Sequence, residues 1–500
     1  MRIGLARRRA PALLCALALC GLALCAPARG RAQPAGISFS PCLLTDPTRI
    51  SSVEAECGRL LVPENPEAPA GRRIELFVAR APAVSLRRRP DPLFVLAGGP
   101  GMAASSFYAE VAGALARVHV DRDIVLVDQR GTGRSLRLDC NLDESALWSQ
   151  SKDAIAQEAR QCLKGLARRA DVALYTTSLA VQDLDRVRAA LGYERIDLYG
   201  VSYGTRVAQH YLRRFPRHVR AVVLDGAVPP QEALGASAAL DAEDALERIL
   251  TGCAREPACH ARFGEPLASY RALRSLLGGA PVSVHLTNPT SGEPVTVSFT
   301  ALHLADVLRL SSYTSEQAAL LPLLLDEARA HGNFAPLAAQ FLIVDRTYED
   351  AIADGMQNTV VCTEDVPLYD HTRIDRSRLA RTYLGTVQLD ALERICAVWP
   401  RGPMDPDFHA PLKSDAPVLI LSGTNDPVTP PRDATQAAAG LTHALIVQLD
   451  GTGHGQIAEP CIGDLIARFI ERGATAHLDT SCTHRAHPFP FFTSFAGPPP

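Results

Sequence analysis

Three short stretches carry residue types that fit nucleophilic catalysis. Gly200-Val201-Ser202-Tyr203-Gly204 sets a serine between glycines two residues to either side. On a sharp strand-to-helix turn this spacing lifts the hydroxyl off a sheet edge, and the glycines let backbone and helix pass closely. The following helix N-terminus also favours developing negative charge. Taken alone the pentapeptide is weak, because a chain this long shows one by chance roughly once in seven. A serine hydroxyl is also a poor nucleophile at its own pKa, so it needs a base, and the base needs an orienting acid. Gly423-Thr424-Asn425-Asp426-Pro427 and Gly451-Thr452-Gly453-His454-Gly455 offer both. Where such a turn tops an open parallel sheet, the chain order is nucleophile, acid, histidine, and 202, 426, 454 keeps it. The competing readings are a turn or helix-cap aspartate for Asp426 and a surface-loop histidine for His454. Asp225, in Leu224-Asp225-Gly226, is the alternative acid.

An oxyanion needs preorganised donors. The backbone N–H of Tyr203, next after the serine, is one candidate, and that of Gly99 in Gly98-Gly99-Pro100-Gly101 is the other. The alternative for this loop is a tight turn without a donor role. Asp128-Gln129-Arg130-Gly131-Thr132-Gly133-Arg134-Ser135 lacks the Gly-Lys-Ser/Thr ending of a phosphate loop. It reads better as buried polar groups bracing the neighbourhood of Ser202.

Positioning these residues requires strands that end where the chemistry begins. Ile74–Val78, Leu93–Leu96, Ile124–Val127, Ile196–Tyr199 and Ala221–Leu224 read as buried strands, and Ser178–Leu191 as a helix stopped by Gly192. Strands alternating with helices mean a mostly parallel sheet. The rhythm breaks after Pro229-Pro230, turns mainly helical with a polar interruption near 287–297, and resumes at Val418–Leu421 and Ala444–Leu449. A last helix spans about Ile462–Ile470. The sequence thus predicts the α/β-hydrolase fold interrupted by a mainly helical insertion. The expected organisation is a signal peptide over 1–32, core over 33–230, helical cap over 231–410, core over 411–485 and an irregular tail over 486–500.

The bulk numbers agree with an exported globular protein. Over 500 residues, 47% are hydrophobic and 21% charged, which excludes extensive disorder. A net charge of −3 leaves no footprint for nucleic acid. Arg2, Arg7, Arg8 and Arg9 precede an apolar run from Pro11 to Ala26 and then small residues, the pattern of a secretory signal. The run is short for a membrane span, which needs about 20 apolar residues. Ten cysteines follow, at 42, 57, 140, 162, 253, 259, 362, 396, 461 and 482. An even set suits disulfides in an oxidising compartment. Pairing each with its nearest neighbour is one possibility, and sequence alone does not fix it. No cysteine or histidine spacing suits a metal.

Taken together, Gly98–Gly101, Asp128–Ser135, Gly200–Gly204, Leu224–Gly226, Asp426, His454 and Cys461…Cys482 resemble the secreted tripeptidyl aminopeptidase and proline iminopeptidase-like serine peptidases, over about residues 40–482. Ala97 stands where proline iminopeptidases usually carry histidine before the glycine loop, which favours the tripeptidyl branch. The resemblance implies a helical cap and an acidic residue holding the substrate's free amine. Glu364 and Asp365, in Val361-Cys362-Thr363-Glu364-Asp365, are the candidates, with Trp399 as a wall of the site. They compete with a reading as ordinary carboxylates of the insertion.

The resulting expectation is an exported serine aminopeptidase-like hydrolase acting through an acyl-enzyme on peptide substrates. It implies neither metal nor cofactor, no nucleic acid and no stable membrane insertion, and it leaves the oligomeric state open. A carboxylesterase or other small-molecule hydrolase would use the same triad. A non-catalytic binding protein is the rival from outside enzymology.

Overall fold

The structure is a computed structural model that describes residues 36–140, 152–485 and 488–498; the signal segment expected over 1–32 lies outside them. Eleven strands are formed among these residues: β1 (Ser40–Thr45), β2 (Ser52–Pro63), β3 (Arg73–Ala81), β4 (Leu93–Leu96), β5 (Ile124–Val127), β6 (Ile196–Val201), β7 (Val219–Asp225), β8 (Val282–Thr287), β9 (Pro294–Phe299), β10 (Val418–Gly423) and β11 (Ala444–Leu449). Nine of them make one sheet in the order β1-β2-β3-β5-β4-β6-β7-β10-β11. The β1–β2, β2–β3 and β3–β5 pairs are antiparallel, and every pair from β5 to β11 is parallel.

The short central strands are buried at every position because both faces are covered. Period-two alternation sends their side chains to two different cores. Phe94 and Leu96 join Val125, Val127, Leu198 and Val222 on one face, whereas Leu93 and Val95 join Ile124, Leu126 and Val223 on the other. The helices that cover these faces are α1 (Ala104–Val111), α2 (Ala116–His119), α3 (Lys152–Leu166), α4 (Thr177–Ala190) and α5 (Tyr203–Arg214), joined near the end by α15 (Pro431–Ala438) and α16 (Ile462–Arg472). In α16, Ile462, Leu465, Ile466, Phe469 and Ile470 recur at helical spacing and are all buried. Gly473, at φ 62°, closes the helix in a left-handed cap that glycine adopts without strain.

Between β7 and β10 the chain builds α6 (Ala238–Arg255), α7 (Pro257–Phe263), α8 (Pro266–Leu277), α9 (Ala301–Ser311), α10 (Ser315–His331), α11 (Ala335–Ala351), α12 (Asp354–Glu364), α13 (Arg376–Leu379) and α14 (Val387–Cys396). This segment has a hydrophobic cluster of its own, around Leu246, Leu250, Phe299, Leu308, Leu324 and Phe341. The polar interruption near 287–297 is the turn and second strand of the antiparallel hairpin β8–β9. Among the described residues five disulfides join Cys42–Cys57, Cys140–Cys162, Cys253–Cys259, Cys362–Cys396 and Cys461–Cys482. Each partner is the nearest in sequence, so every bridge closes a local loop. No helix among the described residues is long and apolar enough to cross a membrane.

Candidate active site

Ser202 sits between β6 and α5 with φ 55° and ψ −126°, a conformation that L-residues with a side chain avoid. The surroundings enforce it. Its N–H donates to the Asp225 carbonyl at 2.9 Å, and its own carbonyl accepts the Thr205 hydroxyl at 2.6 Å. The flanking glycines are required sterically. A Cβ on Gly204 would collide with the carbonyl oxygens of Leu96 and Ala97, and one on Gly200 with the Gly204 carbonyl. Helix α5 can therefore cross the ends of β4 and β6 only without those side chains.

Asp426 follows β10 and is fully buried. One carboxylate oxygen accepts the N–H groups of Val428 and Thr429, both at 2.8 Å. The other accepts the Thr429 hydroxyl at 2.8 Å and faces His454 Nδ1 at 2.8 Å. A carboxylate only accepts, so the imidazole proton belongs on Nδ1, which leaves a lone pair on Nε2. The His454 N–H donates to the Tyr313 carbonyl at 2.7 Å, and the Tyr313 ring stands edge-on to the imidazole, 5.2 Å between centroids. Gly226 makes room for the ring, since a Cβ there would lie 3.0 Å from His454 Cε1. Burial by itself would lower the His454 pKa; the charge and hydrogen bond of Asp426 outweigh it, and the net shift is upward.

Ser202 and His454 are thus both held at the end of β7, the Ser202 N–H by the Asp225 carbonyl and the His454 ring against Gly226. Among the described residues no hydrogen bond joins the Ser202 hydroxyl to His454. Such contacts commonly tighten only with substrate bound.

The glycine loop follows β4, which pairs in parallel with β6 at Leu96 and Gly200. The loop and the Ser202 turn therefore emerge side by side. A Cβ on Gly98 would stand 3.0 Å from Ser202 Cβ. Gly99 lies at φ 105°, and Gly101 is clamped from the insertion by the Ala353 N–H, which donates to its carbonyl at 3.1 Å. Tyr203 is the first residue of α5, so its N–H has no acceptor within the helix.

The segment after β5 braces this region. Buried Asp128 accepts the N–H and hydroxyl of Ser105 and the N–H of Arg134. Arg130 bonds Asp183 at 2.7 Å and the carbonyls of Glu64 and Leu174. The Ser135 hydroxyl accepts the Phe77 N–H at 2.7 Å, and Gln129 Nε2 donates to the Tyr203 hydroxyl at 3.0 Å.

Asp225, the alternative acid, does not bond His454. Its carboxylate accepts the Tyr199 hydroxyl and the N–H groups of Gln456 and Ile457, which holds the histidine loop from below. Burial pushes its pKa up to about 6.

Glu364 and Asp365 are both fully buried. Glu364 accepts the N–H and hydroxyl of Thr177, at 2.7 and 2.8 Å. Burial pushes it up to about 8 against the opposing Arg206 charge. Asp365 pairs with Arg206 at 2.8 Å and accepts the Leu234 N–H at 2.9 Å. Neither is an open carboxylate for a substrate amine in this geometry. Trp399 is likewise no wall of the site. Its indole N–H donates to the Thr359 hydroxyl at 3.0 Å, and its ring packs in the core beside Cys362 and Cys396.

Sequence reasoning passed over Thr429, Tyr313 and Thr177. Thr429 had a local signal, because an aspartate caps N–H groups two and three residues on. Tyr313 and Thr177 had none, since each reaches the site only through tertiary packing. Among the described residues no group of three or more histidine, cysteine, aspartate or glutamate side chains is arranged to hold a metal ion.

Residues 91–250 match the α/β-hydrolase fold family and residues 381–482 match the TAP-like protein family. Serine protease Hip1 of Mycobacterium tuberculosis (strain ATCC 25618 / H37Rv) is 26% identical, over 89% of this chain and 91% of the relative. The tripeptidyl aminopeptidase of Streptomyces coelicolor is 27% identical, over 93% of this chain and 89% of the relative. Carboxylesterase B of the same Mycobacterium strain is 28% identical, over 86% of each. The chain is a serine hydrolase of the α/β-hydrolase fold. The similarity of residues 381–482 to the TAP-like family agrees with what the motifs implied.

Proposed function

We propose that this chain is an exported aminopeptidase-like serine hydrolase that releases short peptides from a free N-terminus. In this reading His454 Nε2 takes the proton of Ser202 as the hydroxyl oxygen attacks the substrate carbonyl carbon. Asp426 holds the imidazole and stabilises the imidazolium. The N–H groups of Tyr203 and Gly99 receive the oxyanion. His454 then gives its proton to the leaving amine, and water, activated by the same histidine, releases the acyl group from Ser202.

The observation that carries the reading is the Asp426–His454 pair at 2.8 Å, lying over the same strand end as the forced turn at Ser202. The peptidase assignment is supported by the relatives named serine protease and tripeptidyl aminopeptidase. The insertion crowds the site through Tyr313 and Ala353, which suits short or unfolded chain ends. Five disulfides suit export into an oxidising compartment.

The test is a panel of chromogenic mono-, di- and tripeptidyl amides, free and N-acetylated, with simple esters alongside. Cleavage of free tripeptidyl amides well above their acetylated forms is expected. Equal cleavage of both, or turnover of esters alone, would overturn the aminopeptidase assignment. The ester outcome would favour the second reading, which the relative named carboxylesterase B supports.

A further inference from the structure

We infer that Glu364 is a positioning residue for the oxyanion side of the site, acting through the Thr177 hydroxyl on the Tyr203 side chain. This rests on the proposed roles of Ser202 and the Tyr203 N–H. Tyr203 is fixed at two ends: its backbone by the turn at Ser202, and its phenol, buried under α4, by a directed chain of hydrogen bonds. Gln129 Nε2 donates to the phenol oxygen at 3.0 Å. The phenol lies 2.5 Å from Thr177 Oγ1, and the Thr177 hydroxyl lies 2.8 Å from Glu364 Oε2. An amide nitrogen only donates, so with Gln129 Nε2 bonded to the phenol oxygen the phenol gives its own hydrogen to Thr177 Oγ1. The Thr177 oxygen, accepting from the phenol, in turn donates its hydroxyl hydrogen to Glu364 Oε2. Glu364 Oε2 thus closes a directed chain that begins at Gln129 and holds the residue whose N–H stands next to Ser202. Thr177, Tyr203 and Glu364 are all essentially inaccessible, so water does not compete for these bonds.

Glu364 is held firmly enough for this task. It ends α12, two residues after Cys362, which is bridged to Cys396 in α14. Its neighbour Thr363 accepts the Gly402 N–H at 3.0 Å, and Arg206 presents a positive charge nearby. The insertion thus reaches the catalytic machinery from beneath, through the side chain of an oxyanion donor, and not only at the mouth.

A merely structural role is the competing account, because Glu364 Oε1 also caps α4 by accepting the Thr177 N–H at 2.7 Å. Thr177→Val separates the two: it keeps the capped N–H and the side-chain volume but cuts the hydroxyl relay. Thr177→Ser keeps both. Hydrolysis of p-nitrophenyl acetate is measured for Thr177→Val, Thr177→Ser, Tyr203→Phe and the Thr177→Val/Tyr203→Phe pair. Rates are expressed per active site titrated by the acylation burst, at a temperature well below each melting point. Ser202→Ala is the control. Thr177→Val and Tyr203→Phe should each lower kcat on the order of tenfold with KM unchanged, as displacement of a catalytic donor does. The pair should be no worse than either single change, because both remove one relay. Thr177→Ser should keep the wild-type rate. A wild-type kcat in Thr177→Val, or losses that multiply in the pair, would overturn the relay while leaving Ser202 as nucleophile. Undiminished hydrolysis by Ser202→Ala would overturn the relay together with the reading beneath it.

Discussion

His454 and Asp426 share a hydrogen bond of 2.8 Å whose acid end is fully buried and whose other three acceptor contacts are filled by Val428 and Thr429. The carboxylate has one direction left in which to act, toward the imidazole. The pair raises the His454 pKa although burial opposes it. In the proposed mechanism His454 acts as a base only when neutral, so activity should fall as pH drops through its pKa. The kcat/KM profile should therefore rise with pH to a plateau, with a midpoint above the ~6.5 of an unperturbed histidine. Asp426→Asn removes the charge and leaves burial in command. It should move the midpoint below that value and lower kcat by about 10⁴-fold. An unmoved midpoint in a folded variant would separate this pair from catalysis.

The elbow glycines make a second prediction. Gly204→Ala places a methyl group against the backbone carbonyls of Leu96 and Ala97, which belong to the sheet and its glycine loop and cannot step aside. Overpacking of this kind costs about 1–3 kcal/mol. The shift also displaces the loop from Ser202. Thermal melting should show the loss, and p-nitrophenyl acetate turnover should fall further than stability does. Gly113→Ala, where no atom lies within contact of the new methyl group, should change neither.

Asp365 provides a test of the interior against the amine-anchor expectation. It faces Arg206, and both side chains are almost wholly inaccessible. Asp365→Ala strands a buried guanidinium, which costs about 3–5 kcal/mol. The expected result is a markedly lower melting temperature, with the preference between free and N-acetylated peptidyl amides unchanged in the protein that remains folded. A lost preference at unchanged stability would return Asp365 to the role of amine anchor.

The Cys362–Cys396 bridge spans 34 residues and ties α12 to α14. Replacing both cysteines by alanine should cost about 2–4 kcal/mol by freeing the unfolded chain. Differential scanning calorimetry of the variant and the oxidised parent measures it. Because the bridge also anchors the segment that carries Glu364, kcat should fall with it.

The residues most legible in the sequence were those whose chemistry is local. Ser202, Asp426 and His454 each follow directly on a short apolar strand, and glycine marks each turn. The buried parallel strands announced themselves as apolar runs, because a strand covered on both faces has no polar alternation to hide it. β1 and β2 went unread because they lie at the antiparallel edge, where many positions are exposed and polar residues such as Glu54, Glu56 and Arg59 break up the apolar pattern. The hairpin β8–β9 looked like a polar interruption for the same reason. Glu364 and Asp365 stood out by charge, but what they face is set by Thr177 and Arg206, distant in sequence by 187 and 159 residues. No local pattern reports such a pairing, and the structure assigns both acids to the interior.

The central claim is that Ser202 is the nucleophile, and the most direct measurement is covalent. The protein is treated with a fluorophosphonate, and the adduct is located by intact mass and peptide mapping. One adduct per chain on the peptide containing Ser202, slowed as pH falls through the His454 pKa and absent in Ser202→Ala, is the predicted result. An adduct that persists in Ser202→Ala, or no adduct on the folded wild-type chain, would contradict it.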